Sequence, residues 1–386
     1  MIKRSVVELS NPMREQVFAT PGALLEGFDA LELNARLAVE TPDIYRTQRV
    51  VLTGSGDSWF AAKAAELAFW IDAQVAAEVR SPLEAGRYQS QHFPRRELET
   101  TLLVALSNSG AAARVAEAAT LWRGAGAKVL AVTKNEAGRL AGIADRTLLL
   151  PVPELPNAPG VGPYLFAVLG LELLAIRFGE VKLAITMDEA QALRAELKSL
   201  LARLEGVVAD LDAPALEVAA AISGGQLVEF VGGGPNFAVA EYGAAKLLEA
   251  SGRHALARDL EEWTHLNYFD NAPTRIATVL VVPANSPTQG RAVELIAYMH
   301  KLGRSLVVVG GGEAAELVQR LGHAVLAVPA IAERWSPLFT SIAPALLAAH
   351  LSALDGAEYG RGGKAPWDDS RTAATVQQSA IWEPGK

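Results

Sequence analysis

Short apolar runs, each ending in small residues and followed by a helical stretch, recur along most of this chain. Arg49-Val50-Val51-Leu52 leads into Thr53-Gly54-Ser55-Gly56-Asp57-Ser58 and then an Ala-rich stretch to Asp72. Leu102 to Leu106 ends in Ser107-Asn108-Ser109-Gly110 and opens a helix over Ala111 to Gly124; Lys128 to Thr133 and Thr147 to Val152 are further runs. Runs of this length, apolar at successive positions, predict strands buried on both faces, hence a parallel sheet between helices. Ahead of them, Asn11 to Val39 carries Met13, Val17, Leu24, Leu25 and Phe28 on one helical stripe, and Pro21-Gly22 predicts a break into two helices.

The order repeats. Gln226 to Val231 ends in Gly232-Gly233-Gly234, with a helix from Phe237; Thr278 to Val282 ends in Pro283-Ala284-Asn285-Ser286; Arg304 to Val309 and Ala324 to Val328 follow. Gly232 lies 178 positions after Gly54, and Asn285 lies 177 after Asn108. An offset held across four strands predicts a duplicated domain. The expected layout is a helical segment over 1–40, an α/β domain over 41–187, a charged helical connector over 188–212, a second α/β domain over 213–356 and a loop-like tail over 357–386. Each domain is expected to be an α/β unit with a parallel sheet covered by helices.

Composition narrows the chemistry. The chain has 386 residues, half of them apolar, with 35 Lys plus Arg against 43 Asp plus Glu and no Cys. Without Cys there is no disulfide, no thiolate nucleophile and no Cys-ligated metal site, and no metal or cofactor is expected. A net charge of −8 argues against nucleic-acid binding. Met1-Ile2-Lys3-Arg4 is followed by polar residues, and the apolar stretch Tyr164 to Ala175 is short and holds Glu172, so a cytoplasmic protein without a membrane partner is expected.

Loops at the carboxyl ends of parallel strands are where such sheets bind ligands. Ser55 and Gly56 lie in one, and Ser107, Asn108 and Ser109 in another. Helix-terminal N–H groups and small hydroxyls hold a phosphate without bulk, although Ser, Asn and Gly are equally good caps and turn formers. A dinucleotide fingerprint is excluded, since Trp59 stands where its third Gly belongs, and no Walker-type Gly-Lys-Ser/Thr exists. In the second half, Lys246 and Glu249 are three residues apart on one helix face. Spacing alone predicts a solvent-exposed ion pair. His265 follows 16 residues later within Glu261-Glu262-Trp263-Thr264-His265.

Gly-Ser-Gly-Asp-Ser in the first turn, Ser-Asn-Ser-Gly in the second, Gly-Ala-Ala-Lys-Leu-Leu-Glu at 243–249 and Glu-Trp-Thr-His at 262–265 together resemble the sugar isomerase (SIS) family. They are most similar to the isomerase half of glucosamine-6-phosphate synthase and its stand-alone relatives. The likeness runs from Asn11-Pro12-Met13-Arg14-Glu15-Gln16 to about Val376. It implies two tandem three-layer αβα SIS domains, each with a mainly parallel, flavodoxin-like sheet. It implies that Ser107, Asn108 and Ser109 hold the phosphate of a sugar phosphate, with Ser55 and Gly56 assisting. It further implies Glu249 as the base that moves a proton between C1 and C2 through an enediol, His265 as the ring-opening acid and base, and Lys246 orienting the carboxylate. His254 and Glu262 are nearby reserves. In relatives the histidine often comes from a partner subunit, which implies a homodimer.

The chain departs from the family in places. Ala112 replaces a Thr after the second Ser, and Gly160-Val161-Gly162-Pro163-Tyr164 stands where the family has Ser-Thr-Lys. At the tail, Arg371-Thr372-Ala373-Ala374-Thr375-Val376 aligns with a stretch whose Lys contacts the sugar; Thr372 occupies that place, and Arg371 and Lys364 are candidate substitutes, although charges in such a tail read first as solvated. The functions implied are a phosphosugar isomerase or an amino-sugar-phosphate isomerase/deaminase, a fructosamine-phosphate deglycase, or a non-catalytic sugar-phosphate-binding protein. No cysteine is present to release ammonia from glutamine.

Overall fold

The computed structural model describes residues 11–224, 227–369 and 373–382. The chain divides into two compact units. One comprises residues 23–153 and 163–201 with the described residues beyond 362; the other comprises the described residues up to 22, residues 154–162, and the described residues from 202 to 362.

In the first unit, β1 (Arg49–Gly54), β2 (Ala76–Val79), β3 (Thr101–Leu106), β4 (Lys128–Thr133) and β5 (Arg146–Leu149) form a sheet in the order β2-β1-β3-β4-β5. All pairings are parallel, with Val51 opposite Leu103 and Leu103 opposite Val129. The second unit repeats this with β6 (Leu227–Gly232), β7 (Ala255–Asp259), β8 (Ile276–Val282), β9 (Ser305–Gly310) and β10 (Ala324–Ala327), all parallel, in the order β10-β9-β8-β6-β7. Read from the other edge, that is the same order, so the predicted duplication holds at the level of topology. Each sheet is flanked by helices. Central strands β3 and β8 are buried at every residue, which is why they read as unbroken apolar runs.

Edge strands β2 and β7 escaped the sequence reading. β2 has four residues including Glu78, and no residue of β7, which carries Arg258 and Asp259, is buried. Short, charged edge strands lack the apolar pattern because one side faces water.

The helices used below are α1 (Pro12–Leu37), α2 (Asp57–Ile71), α3 (Ala113–Ala125), α4 (Gly162–Lys182), α5 (Met187–Leu201), α6 (Leu204–Ile222), α7 (Pro235–Ser251), α8 (Gln289–Lys301), α9 (Gly312–Arg320) and α10 (Ile342–Asp355). The break expected at Pro21-Gly22 does not occur, and α1 runs through Pro21 as one helix. An interior proline costs about 3 kcal/mol. Val17 and Leu24, either side of it, are fully buried, and each such side chain returns about 1.5–3 kcal/mol. The start of α1 is fastened in the second unit: Arg14 places its guanidinium fork on Asp212 of α6 at 3.0 and 2.6 Å, and His350 Nε2 of α10 meets the same carboxylate at 3.0 Å. The helical run Glu333–Asp355 is long and apolar enough to cross a membrane by composition, yet 89% of its most apolar window is buried. The tail, expected as loop, contains the turn Tyr359–Gly363 and a short helix Ala374–Gln377.

The strand-to-helix turns carry the duplication in their backbone. Gly56 (φ 55°, ψ −127°) precedes α2, and Gly234 (φ 55°, ψ −134°) precedes α7. Two residues earlier, a Cβ on Gly54 would lie 2.8 Å from the Ser58 backbone, and one on Gly232 would lie 2.3 Å from the Asn236 carbonyl. Only glycine allows the helix to start this close to the strand end. Gly56→Ala and Gly234→Ala are each expected to lower stability by about 1–3 kcal/mol. Gly22→Ala, inside α1 with no atom within 4 Å of its Cβ, should be neutral or stabilising by up to about 1 kcal/mol. Urea unfolding midpoints check this; a Gly56→Ala protein as stable as the parent contradicts the turn geometry.

Candidate functional site

The turn after β3 is organised by its carbonyls. Ser107 O accepts from Gly110 N at 2.9 Å, Asn108 O from Thr133 Oγ1 and Lys134 N at 3.1 Å each, Ser109 O from Asn135 Nδ2 at 3.2 Å, and Gly110 O from Leu140 N at 2.9 Å. Every acceptor on the turn's backbone is therefore used, three of the four from β4 and the segment after it. The donors are not. Ser107 N continues the ladder to Val132 O at 3.0 Å, but the N–H groups of Asn108 and Ser109 donate no hydrogen bond among the described residues. Gly110 adopts φ +69°, and a Cβ there would lie 3.2 Å from Thr133 Oγ1, so the turn requires glycine.

Helix α3 opens immediately beyond. Its N-cap is Ala112, which supplies no side-chain cap, so the first N–H groups of the helix lack a partner from the cap residue. Unpaired backbone donors followed by an uncapped helix N-terminus present positive partial charge suited to an anion. Ser107 is buried and Ser109 exposed, with Ser109 Oγ accepting from Ala111 N at 3.3 Å. Asn108 Oδ1 is buried and accepts nothing among the described residues, which leaves it for a ligand hydroxyl. Ser55 and Gly56, in the turn after β1 of the same sheet, are exposed.

The second unit's copy of this turn is closed. Ser286, counterpart of Ser109, is buried; its hydroxyl donates to Glu333 Oε1 at 3.1 Å and contacts Thr288 Oγ1 at 2.8 Å. Asn236 Nδ2 donates to the same carboxylate oxygen at 3.3 Å. An internal carboxylate thus faces this turn's serine hydroxyl, and Ser286 N–H, the counterpart of the open Ser109 N–H, donates to Pro283 O at 3.0 Å. Burial pushes the Glu333 carboxyl above the ordinary carboxylate range, partly opposed by the Ser286 and Asn236 hydrogen bonds.

Lys246 and Glu249 lie in the last two turns of α7. Lys246 is fully buried, which corrects the expectation of a solvent-exposed ion pair. Its Nζ donates to Glu249 Oε2 at 2.7 Å and sits 5.3 Å from the centre of the Tyr242 ring, while Glu249 keeps 38% of its side chain exposed. A buried ammonium requires a partner, so the lysine fixes the carboxylate's position. Tyr242, itself buried, donates its hydroxyl to Gly160 O at 3.3 Å. At 1.5 Å per residue, Glu249 stands roughly 20 Å along α7 from the carboxyl edge of its own sheet. It does not serve the loops there.

His265 ends the short helix Glu262–His265 with 63% of its side chain exposed. Among the described residues its hydrogen-bond partner is Glu261, with Nε2 3.3 Å from Oε1; Arg291 of α8 holds that carboxylate at 2.8 and 3.1 Å. Hydrogen bonds from Arg291 first, then His265, keep the Glu261 carboxyl below its usual range. Among the described residues, no hydrogen bond joins His265 to Lys246 or Glu249. The reserves His254 and Glu262 are exposed. Arg371 and Thr372 lie outside the described residues, and Lys364 is exposed. The sequence reading missed Tyr242, Glu261 and Arg291, although Glu261 stands four residues before His265 on one helical face.

A cleft of about 480 Å³ in the first unit, lined by Asp43, Arg46, Lys128 and Arg146, sits at the amino ends of β3–β5, opposite the open turn. Ligands of open parallel sheets bind at the other edge.

With this geometry in hand, comparison with known proteins assigns part of the chain. Residues 43–176 match the family model of the SIS domain. Both units have the SIS-like αβα build. A glutamine–fructose-6-phosphate aminotransferase [isomerizing] from Zymomonas mobilis is 26% identical over 356 residues, covering 90% of this chain and 56% of that protein. The C-terminal domain of glucosamine-fructose-6-phosphate aminotransferase from Francisella tularensis superposes with a TM-score of 0.78 at 18% identity, over 92% of this chain and 99% of that one. Glucosamine-6-phosphate deaminase from Thermotoga maritima superposes at 0.67 and 16% identity, over 90% and 96%. The chain spans about half the length of the curated relatives it matches.

The closed turn of the second SIS-like unit gives a pH test. A carboxyl whose folded pKa is raised contributes stability below its unfolded pKa and loses it as pH rises through the folded value. Wild-type stability relative to Glu333→Gln should therefore fall as pH rises from about 4, and the amide variant should be the more stable at neutral pH. Thermal unfolding across that range checks this, and a difference that does not change with pH contradicts the assignment.

Proposed function

We propose that this chain is a sugar-phosphate isomerase, interconverting an aldose and a ketose phosphate of the hexose 6-phosphate class, with or without an amino group. The turn at 107–110 carries the reading, because its acceptors are all bonded elsewhere while two successive N–H groups and an uncapped helix start stand open. Asn108 N–H, Ser109 N–H, the start of α3 and the hydroxyls of Ser107 and Ser109 would hold the phosphate, with Ser55 and Gly56 assisting. Asn108 Oδ1 would accept from a sugar hydroxyl.

In the reaction, the ring opens as His265 passes a proton between the ring oxygen and the anomeric hydroxyl. Glu249 then takes the proton from the carbon beside the carbonyl, the electron pair forms the enediol double bond, and the same carboxyl returns a proton to the neighbouring carbon. Lys246 holds Glu249 in place at 2.7 Å and offsets its charge. The reading includes a homodimer. His265 is exposed and bonded only to Glu261 among the described residues, which favours its action on the site of a second copy.

Turnover should be assayed with fructose 6-phosphate, glucosamine 6-phosphate and a fructosyl-amine phosphate. Glu249→Gln and His265→Ala should each lower kcat by about 10²–10⁴-fold. Mixing the two inactive variants should restore part of the activity if the histidine acts across a dimer. Full turnover by Glu249→Gln defeats the isomerase reading; C–N cleavage of only the fructosyl-amine phosphate would make the protein a deglycase.

A further inference from the structure

His265 is the middle residue of a five-residue segment whose two ends are held by one buried carboxylate. Trp263, fully buried, donates its indole Nε1–H to Glu229 Oε2 at 2.7 Å. Asn267 donates Nδ2–H to Glu229 Oε1. Glu229 lies inside β6 and is 2% exposed. A charge at such depth needs a counter-ion, and Arg304, 1% exposed and just before β9, supplies it with Nη1 at 2.5 Å from Oε2.

Arg304 also grips the segment directly. Its Nη2 donates to the Asn267 carbonyl at 2.8 Å, and its guanidinium lies 4.9 Å from the centre of the Trp263 ring. Thr278 of β8 closes the network, donating to Glu229 Oε2 at 3.3 Å and accepting from Arg304 Nη1 at 3.2 Å. Arg258 of β7 holds Asn267 Oδ1 at 2.8 Å. The segment around His265 has only single turns of helix, Glu262–His265 and Asn267–Phe269, so regular secondary structure does little to fix it.

We infer that Glu229 and Arg304 are positioning residues for His265, clamping the residues two before and two after it so that an exposed imidazole is presented in one orientation. The inference rests on the acid–base role proposed for His265. Neither residue touches the turn at 107–110, so substrate affinity should not depend on them.

The test compares Glu229→Gln, the apolar double variant Glu229→Leu/Arg304→Met, and His265→Ala. Gln cannot accept from both flanks and from Arg304 at once. The double variant removes both charges together, which keeps a fold that an unpaired buried arginine would endanger. Far-UV circular dichroism and thermal unfolding select the variants that fold. Those variants should lose about 10- to 100-fold in kcat with KM within about twofold. The His265 Cε1–H resonance should shift or broaden in them without added substrate, a readout that general destabilisation far from the segment would not give. Wild-type kcat and an unchanged His265 resonance in a folded double variant, with His265→Ala inactive, overturn the positioning role and leave the isomerase reading standing. Full activity of His265→Ala overturns both.

Discussion

The turn after β3 faces the way it does because its carbonyls are already bonded. Gly110 N, Thr133 Oγ1, Lys134 N, Asn135 Nδ2 and Leu140 N occupy the four acceptors of residues 107–110, leaving the Asn108 and Ser109 N–H groups without a partner among the described residues. An arrangement that spends its acceptors and keeps its donors has a natural complement in an anion, and the protein's net charge of −8 is no obstacle, since the open groups are peptide dipoles rather than side-chain cations. The second unit shows the alternative solution. There the corresponding serine faces Glu333, a carboxylate from its own chain.

The duplicated scaffold thus carries two different sets of polar groups on one topology. Gly56 shares its backbone conformation with Gly234, and Gly54 its crowding with Gly232, so both sheets launch their first helix the same way. What differs is the placement of charge. The second unit buries Lys246 and the Glu229–Arg304 pair, groups that would be strongly destabilising if left alone and that each hold a neighbouring element in place. Lys246 fixes a half-exposed carboxylate. Glu229 and Arg304 fix an irregular segment carrying an exposed histidine.

Much of the fold was legible in the residues. β3 and β8 are buried along their length and read as apolar runs, and the 178-residue offset between Gly54 and Gly232 announced the repeat. β7 was not legible because none of its residues is buried. Pro21 misled, since the burial of Val17 and Leu24 outweighs the local penalty that proline imposes on a helix. At the candidate site the residue types were visible but their burial was not: Lys246 three residues before Glu249 is the spacing of an exposed ion pair as much as of a buried one. The open N–H groups belong to the backbone and leave no mark on the sequence. Glu229 did leave one, as a charge within an apolar run, but its partner Arg304 lies 75 positions away.

The most direct test of the anion-binding turn is a backbone amide NMR titration of the whole chain with inorganic phosphate and then with a hexose 6-phosphate. The account predicts saturable shifts at the Asn108 and Ser109 amides and at the first residues of α3, with the Asn285 and Ser286 amides unmoved. Shifts of equal size at both turns, or none at Asn108 and Ser109 when the sugar phosphate binds elsewhere, would contradict it.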